Sequence, residues 1–148
     1  MKVHGPKHPY LARNYKGIGN IYYKKYEYKK AIEYYQKSLD IELKALGPEH
    51  PSVARTYTYF GNVYIKKNDP KIAFDWFEKA YRILLNKFGE EHTNINEVRF
   101  KMAKSLKMLN QTDKALKYLK KAIRVGKKKK TKWIAQAEEL LKEIERKQ

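Results

Sequence analysis

Apolar residues recur along this chain at spacings of three and four, in pairs of segments divided by short polar breaks, and the same order returns three times. In the first pair Tyr15, Ile18, Gly19 and Tyr22 share one side of a helix, and after Lys25-Tyr26-Glu27 a second run brings Ala31, Tyr35, Ser38 and Leu39 together. The second pair reads Tyr57, Phe60, Gly61, Tyr64, then Ala73, Phe77, Ala80, Tyr81; the third reads Arg99, Met102, Ala103, Leu106, then Ala115, Leu119, Ala122, Ile123. Gly19, Gly61 and Ala103 hold one register, and Ala31, Ala73 and Ala115 another. Small residues are needed where two helices cross closely, and large aromatics fill the space beside them. The pattern predicts helices over 9–24, 27–45, 51–66, 70–87, 93–109, 112–126 and 131–147, with no strand. In the last of these, Trp133, Ile134, Ala137, Leu140, Leu141 and Ile144 form one stripe and leave a polar outer side, as a capping helix requires.

The breaks between pairs repeat as well. Gly5-Pro6-Lys7-His8-Pro9 returns as Gly47-Pro48-Glu49-His50-Pro51 and as Gly89-Glu90-Glu91-His92-Thr93, a period of 42 residues. Self-similarity at this period implies stacked helical hairpins that share one core and leave a concave surface free. The order aromatic, small, aromatic, then Ala, aromatic, small resembles the tetratricopeptide repeat (TPR) over nearly the whole chain. Leu46-Gly47-Pro48-Glu49-His50-Pro51-Ser52-Val53-Ala54 is similar to the 42-residue variety found in kinesin light chains. The resemblance implies an all-α, right-handed α-solenoid: a single domain over 1–148, with hairpins at about 5–46, 47–88 and 89–126 and a capping helix at 131–147. Lys2-Val3-His4-Gly5 aligns with Lys44-Ala45-Leu46-Gly47, so the chain reads as starting at the end of a preceding helix and as a piece of a longer array.

Charge adds a partner class to this picture. The 148 residues hold 34 Lys+Arg against 16 Asp+Glu, a formal charge of +18 that attracts acidic partners of any kind. Lysine predominates, which also suits a merely solvated surface or a compositional bias. There is no cysteine, hence no disulfide or thiolate metal site. No apolar run reaches the roughly 18 residues of a membrane span, and no signal-peptide core follows Met1; a cytoplasmic protein is the expectation.

The TPR resemblance implies that the first helix of each hairpin lines the groove. The candidate contacts are then Arg13, Lys16, Asn20 and Tyr23 in the first repeat, Arg55, Tyr59 and Asn62 in the second, and Lys101 and Lys104 in the third. Gly17, Lys24, Thr58, Ile65, Lys66, Glu97, Phe100, Lys107 and Met108 complete the set. Asn20 and Asn62 share a register from which an amide can bond an extended peptide backbone. Relatives use such asparagines as a peptide-holding ladder. Lys16 and Asn20 match the opening half of the clamp by which some TPR domains hold a C-terminal dicarboxylate, and Lys101 matches again, but Tyr59 and Glu97 depart from it. The roles expected are ion pairing for Arg13, Lys16, Arg55, Lys101 and Lys104, backbone bonding for Asn20 and Asn62, and aromatic walls from Tyr23 and Tyr59, all for an acidic peptide.

Two other readings stay open. The run Lys127, Lys128, Lys129 and Lys130, placed in a loop before the capping helix, suits phosphates of a nucleic acid, an anionic lipid surface or nuclear import. A purely architectural segment of a longer array, self-associating through its exposed first repeat, is the other. No catalytic residue, cofactor or metal is assigned. His8, His50 and His92 come one per repeat, too far apart to converge on a metal, and read as turn-formers ahead of helices. Gly17-Ile18-Gly19 lies within a helix and lacks the strand that a phosphate loop needs. Ser38, Ser52 and Ser105 have no histidine-acid partner, Glu90-Glu91 and Glu138-Glu139 read as surface neighbours, and Asn110-Gln111-Thr112 reads as a turn.

Overall fold

A computed structural model describes residues 8–148, and among them the chain forms seven helices and no strand. They are α1 (Pro9–Lys24), α2 (Tyr28–Ala45), α3 (Pro51–Lys66), α4 (Pro70–Phe88), α5 (Thr93–Met108), α6 (Thr112–Lys129) and α7 (Ile134–Arg146). The expected helix end before Gly5 lies outside the described residues.

Each hairpin is built from the same local parts. His8, His50 and His92 stand at the N-caps of α1, α3 and α5, where each imidazole Nδ1 accepts a backbone N–H two residues on, from Tyr10, Ser52 and Asn94 at 3.0–3.1 Å. The histidines therefore work as caps, satisfying an amide the helix itself leaves unpaired. At the tip of each hairpin one residue turns the chain with a left-handed backbone: Tyr26 (φ 65°), Asn68 (φ 61°) and Asn110 (φ 61°). Asparagine adopts this conformation at small cost. Between hairpins Gly47 (φ 88°) ends the α2 region and Gly89 (φ 82°) ends α4.

Small residues set the crossings. A methyl group built on Gly19 would lie 2.6 Å from the ring of Tyr35, and one on Gly61 would lie inside contact distance of the Phe77 ring, so α1 meets α2 and α3 meets α4 at these glycines. Ala31, Ala73, Ala103 and Ala115 are fully buried. Two core clusters result, one from α2 to α5 and one from α5 to α7, and Phe74 and Tyr118 pack against both.

The junction of the last two helices lies about three residues later than expected: α6 ends at Lys129, not 126, and α7 starts at Ile134, not 131. α6 runs through Gly126 to Lys129, so most of the lysine run is the last turn of a helix and only Lys130, with φ 52°, leaves it. Gly126 does not end the helix because it serves as another close approach: a methyl group there would meet Ile134 and Trp133 at 2.9 Å. Lys127 pairs with Glu138 of α7 at 3.0 Å. The cations also complement the carbonyl end of the helix dipole.

The candidate functional site: a basic concave groove

Residues of α1, α3 and α5 line three cavities that open one after another. The first, about 400 Å³, is lined by Arg13, Lys16, Gly17, Asn20, Arg55 and Tyr59 among others. The second, about 560 Å³, shares Arg13, Arg55 and Tyr59 with it and adds Thr58, Glu97 and Lys101. The third, about 180 Å³, shares Lys101 and adds Tyr23, Asn62, Ile65, Lys66, Phe77 and Lys104. Shared walls make these one groove, and it collects all nine candidate contact residues.

Those residues differ in what they offer. Arg13 and Arg55 are exposed, and among the described residues no carboxylate pairs with either. Tyr59 stands between them and the core, its ring 5.5 Å from that of Tyr35. Asn20 accepts a hydrogen bond from the Tyr35 hydroxyl, and Asn62 accepts one from Lys101 Nζ at 2.9 Å. Each amide thus has its oxygen fixed by the fold and its nitrogen left to donate. Burial holds the Lys101 ammonium below the usual lysine range, against the pull of Glu97 and with a further push from Lys104. Lys104 is held down likewise by burial, then by Lys66. Burial also raises the Tyr23 phenol, with Tyr28 adding to it.

Lys16, expected as a groove cation, is turned inward. It is 9% exposed, and its ammonium lies 2.8 Å from Glu42 Oε2 and 3.1 Å from Ser52 Oγ. Glu42, 1% exposed, also accepts from Ser52 Oγ, from Thr56 Oγ1 at 2.6 Å and from Ser38 Oγ at 3.4 Å. The internal repeat shows what is unusual here: the positions one period on from Ser38, Glu42 and Thr56 are Ala80, Leu84 and Val98. The junction of the first two hairpins is therefore closed by a buried polar network where the next junction is apolar. Helical spacing alone does not reveal this network; a carboxylate at a register that carries leucine one repeat later is the signal that does. With Lys16 engaged, the dicarboxylate-clamp pattern, already broken at Tyr59 and Glu97, loses its first residue.

The third repeat departs from its groove set for a different reason. Phe100 is 5% exposed and stacks on Trp133 at 5.7 Å, while Lys107 pairs with Glu143 of α7 at 2.9 Å. α7 covers them as a following repeat would.

A further cavity, about 600 Å³, is lined by residues of α4, α5 and α6 and shares none with the groove. At its base Arg99 takes the place held by Tyr15 and Tyr57 in the earlier repeats. There a lysine sits over an aromatic pair: Lys37 over Tyr15 and Tyr34, and Lys79 over Tyr57 and Trp76, at 4.8–5.8 Å. In the third repeat Arg99 instead bonds the Glu90 carbonyl at 2.8 Å and Asn96 at 2.6 Å, and Lys121 pairs with the Glu90 carboxylate at 2.9 Å. Glu90-Glu91 is thus more than a pair of surface neighbours, since Arg124 also pairs with Glu91 at 3.3 Å. Asp75 and Glu78 face the lysines of this outer cleft.

Among the described residues no three His, Cys, Asp or Glu side chains come together as metal donors, and no helix is long and apolar enough to cross a membrane. Comparison with known proteins adds the family. Models of the tetratricopeptide repeat match residues 1–41 and 19–86, and a further one matches 97–125. Among curated proteins no sequence matches the chain. Solved structures share the fold at low identity. BtubC (BKLC) from P. vanneervenii superposes with a TM-score of 0.76 at 19% identity, over 81% of this chain and 48% of that one. A kinesin-light-chain-type protein of Podosopora anserina with nearly identical TPR-like repeats gives 0.81 at 18%, over 93% and 66%. The N-terminal domain of stress-induced protein-1 from C. elegans gives 0.69 at 17%, over 93% and 96%. The chain therefore spans about half the length of BtubC and about two thirds of the Podosopora protein. With family models matching most of its length, the chain belongs to the tetratricopeptide-repeat family, and it shares its fold with a kinesin-light-chain-type repeat protein.

Proposed function

We propose that this protein is a non-catalytic interaction module whose concave groove takes an acidic peptide segment. Tetratricopeptide repeats mediate protein–protein interaction; the acidic character of the partner is the finer reading. The observation that carries it is the pair Arg13 and Arg55, exposed, without a carboxylate partner among the described residues, and lining the same two connected cavities beside Tyr59. Guanidinium groups hold carboxylates through paired N–H donors. Asn20 and Asn62 supply amide nitrogens for backbone carbonyls of an extended chain, and Tyr59 and Tyr23 offer aromatic walls. Lys16 takes no direct part; its ion pair with Glu42 holds α1 against α2 and α3 and so fixes the width of the groove.

Binding of a short capped peptide of Asp and Glu around one Trp, followed by fluorescence anisotropy, tests this. Arg13→Glu with Arg55→Glu should weaken it about 30-fold, since two partly exposed charge contacts of about 1 kcal/mol each are lost at about 1.4 kcal/mol per tenfold. Lys29→Glu with Lys120→Glu changes net charge equally on exposed outer-helix positions. It should alter affinity no more than about threefold, because separated surface charges are screened beyond about 8 Å. Equal losses from the two pairs would mean field attraction alone and favour nucleic-acid binding through Lys127 to Lys130. No binding by the parent protein would leave the architectural reading.

A further inference from the structure

The two ends of the groove carry different cations. Arginines stand at one end; at the other, Lys66, Lys101 and Lys104 converge with Asn62 and Tyr23 around the pocket of about 180 Å³. No carboxylate lines this pocket, and among the described residues none of the three lysines forms an ion pair. Glu97, the acid whose charge reaches Lys101, lines the neighbouring cavity instead. Lys101 is fixed by its bond to Asn62, and Lys104 lies over the Phe100 ring at 5.5 Å. Ile65 and Phe77 make the floor apolar, which strengthens any charge interaction made above it.

We propose that this pocket receives the phosphoryl group of a phosphoserine or phosphothreonine within the peptide that the groove takes, a proposal that rests on the groove reading above. Three cations without an ion pair around a concave pocket call for more than one negative charge. A phosphoryl group brings about −1.5 to −2 and three acceptor oxygens, whereas a carboxylate brings one charge and two oxygens. Lysine ammonium groups bind phosphate as compact point charges with rotatable donors, so three of them around one pocket can meet its oxygens from several sides. Burial disfavours the charged forms of Lys101 and Lys104 in the free protein, and a bound dianion reverses that penalty. Geometry supplies a spacing. Arg55 and Lys66 both lie on α3, about 16 Å apart at 1.5 Å per residue, a span that an extended peptide covers in about five residues. The phosphorylated residue should therefore stand about five positions from the carboxylates held by Arg13 and Arg55.

The test uses the full chain and three capped peptides that carry an acidic pair and, about five residues away, serine, phosphoserine or glutamate. Phosphoserine should bind at least about tenfold more tightly than serine, and glutamate should recover only a minor part of that gain. Lys66→Gln with Lys104→Gln should erase the phosphoserine advantage, bringing the phosphoserine peptide to within about twofold of the serine peptide measured on the same variant, with circular dichroism showing an intact fold. Phosphoserine and glutamate binding alike, or an advantage that survives the lysine substitutions, would overturn the proposal. So would inorganic phosphate, at the peptide's concentration, removing the advantage, because the pocket would then be a free-anion site. Failure of the groove reading is separate: Arg13→Glu with Arg55→Glu would leave all three peptides unaffected.

Discussion

Glu42→Ala is expected to lower the unfolding free energy by about 3–5 kcal/mol, the range for breaking a buried ion pair by removing one partner. Glu42 is fully enclosed, and its two oxygens collect Lys16 Nζ and the hydroxyls of Ser38, Ser52 and Thr56. Removing it leaves an ammonium that is almost buried without a counter-charge, three hydroxyls without their acceptor, and a cavity. The repeat provides the rescue. Installing the next junction's residues at four of these positions, Lys16→Thr, Ser38→Ala, Glu42→Leu and Thr56→Val, removes both charges and the two buried hydroxyls, leaves only the half-buried Ser52, and should recover most of the loss. Replacing a whole buried ionic cluster by packed apolar residues is often neutral or better. Urea unfolding measures both. A loss below about 1 kcal/mol for Glu42→Ala would show that water reaches the network and that it does not lock α1 in place.

Gly61→Leu is expected to destabilise by about 3 kcal/mol, at the upper end of the range for overpacking a filled core. The first added carbon already falls on the ring of Phe77, which is fully buried and has nowhere to move. The gain in helix propensity, about 1 kcal/mol on leaving glycine, opposes this and is outweighed. Gly17→Ala is the internal comparison, because a methyl group there meets nothing within 4 Å; it should stabilise by about that propensity gain. Thermal unfolding of both variants decides the matter. An unchanged melting temperature for Gly61→Leu would mean that α3 and α4 do not cross at this residue.

These two sites also mark what the sequence does and does not reveal. Gly61 was legible because its constraint is local in register: a small residue repeats against a large one at the next helix, three times over. Helix starts were legible for the same reason, since each His precedes Pro or Thr at one fixed place. The Lys16–Glu42 pair was not, because it joins positions 26 residues apart whose meeting depends on how two hairpins stack. A lysine on the groove side of an amphipathic helix looks identical whether its long side chain reaches outward or folds under. Phe100 and Lys107 were misplaced in the groove because α7 comes back over them. The lysine run was expected in a loop, whereas α6 continues through Gly126, whose lack of a side chain admits Trp133 and Ile134. In each case the missing information was tertiary. Which helices line the groove was implied by the resemblance to the tetratricopeptide repeat, not by the pattern itself, and the cavities place the candidate residues along those helices.

If ligand contacts belong to the groove lined by α1, α3 and α5, amide and side-chain chemical-shift mapping with the capped Asp/Glu/Trp peptide will show it. Saturable shifts are expected at Arg13, Asn20, Arg55, Tyr59, Asn62 and Lys101, with the outer positions Lys29, Lys79 and Lys120 and the run Lys127 to Lys130 essentially still. Shifts spread over the outer helices, or centred on Lys127 to Lys130 and abolished by moderate salt, would contradict it.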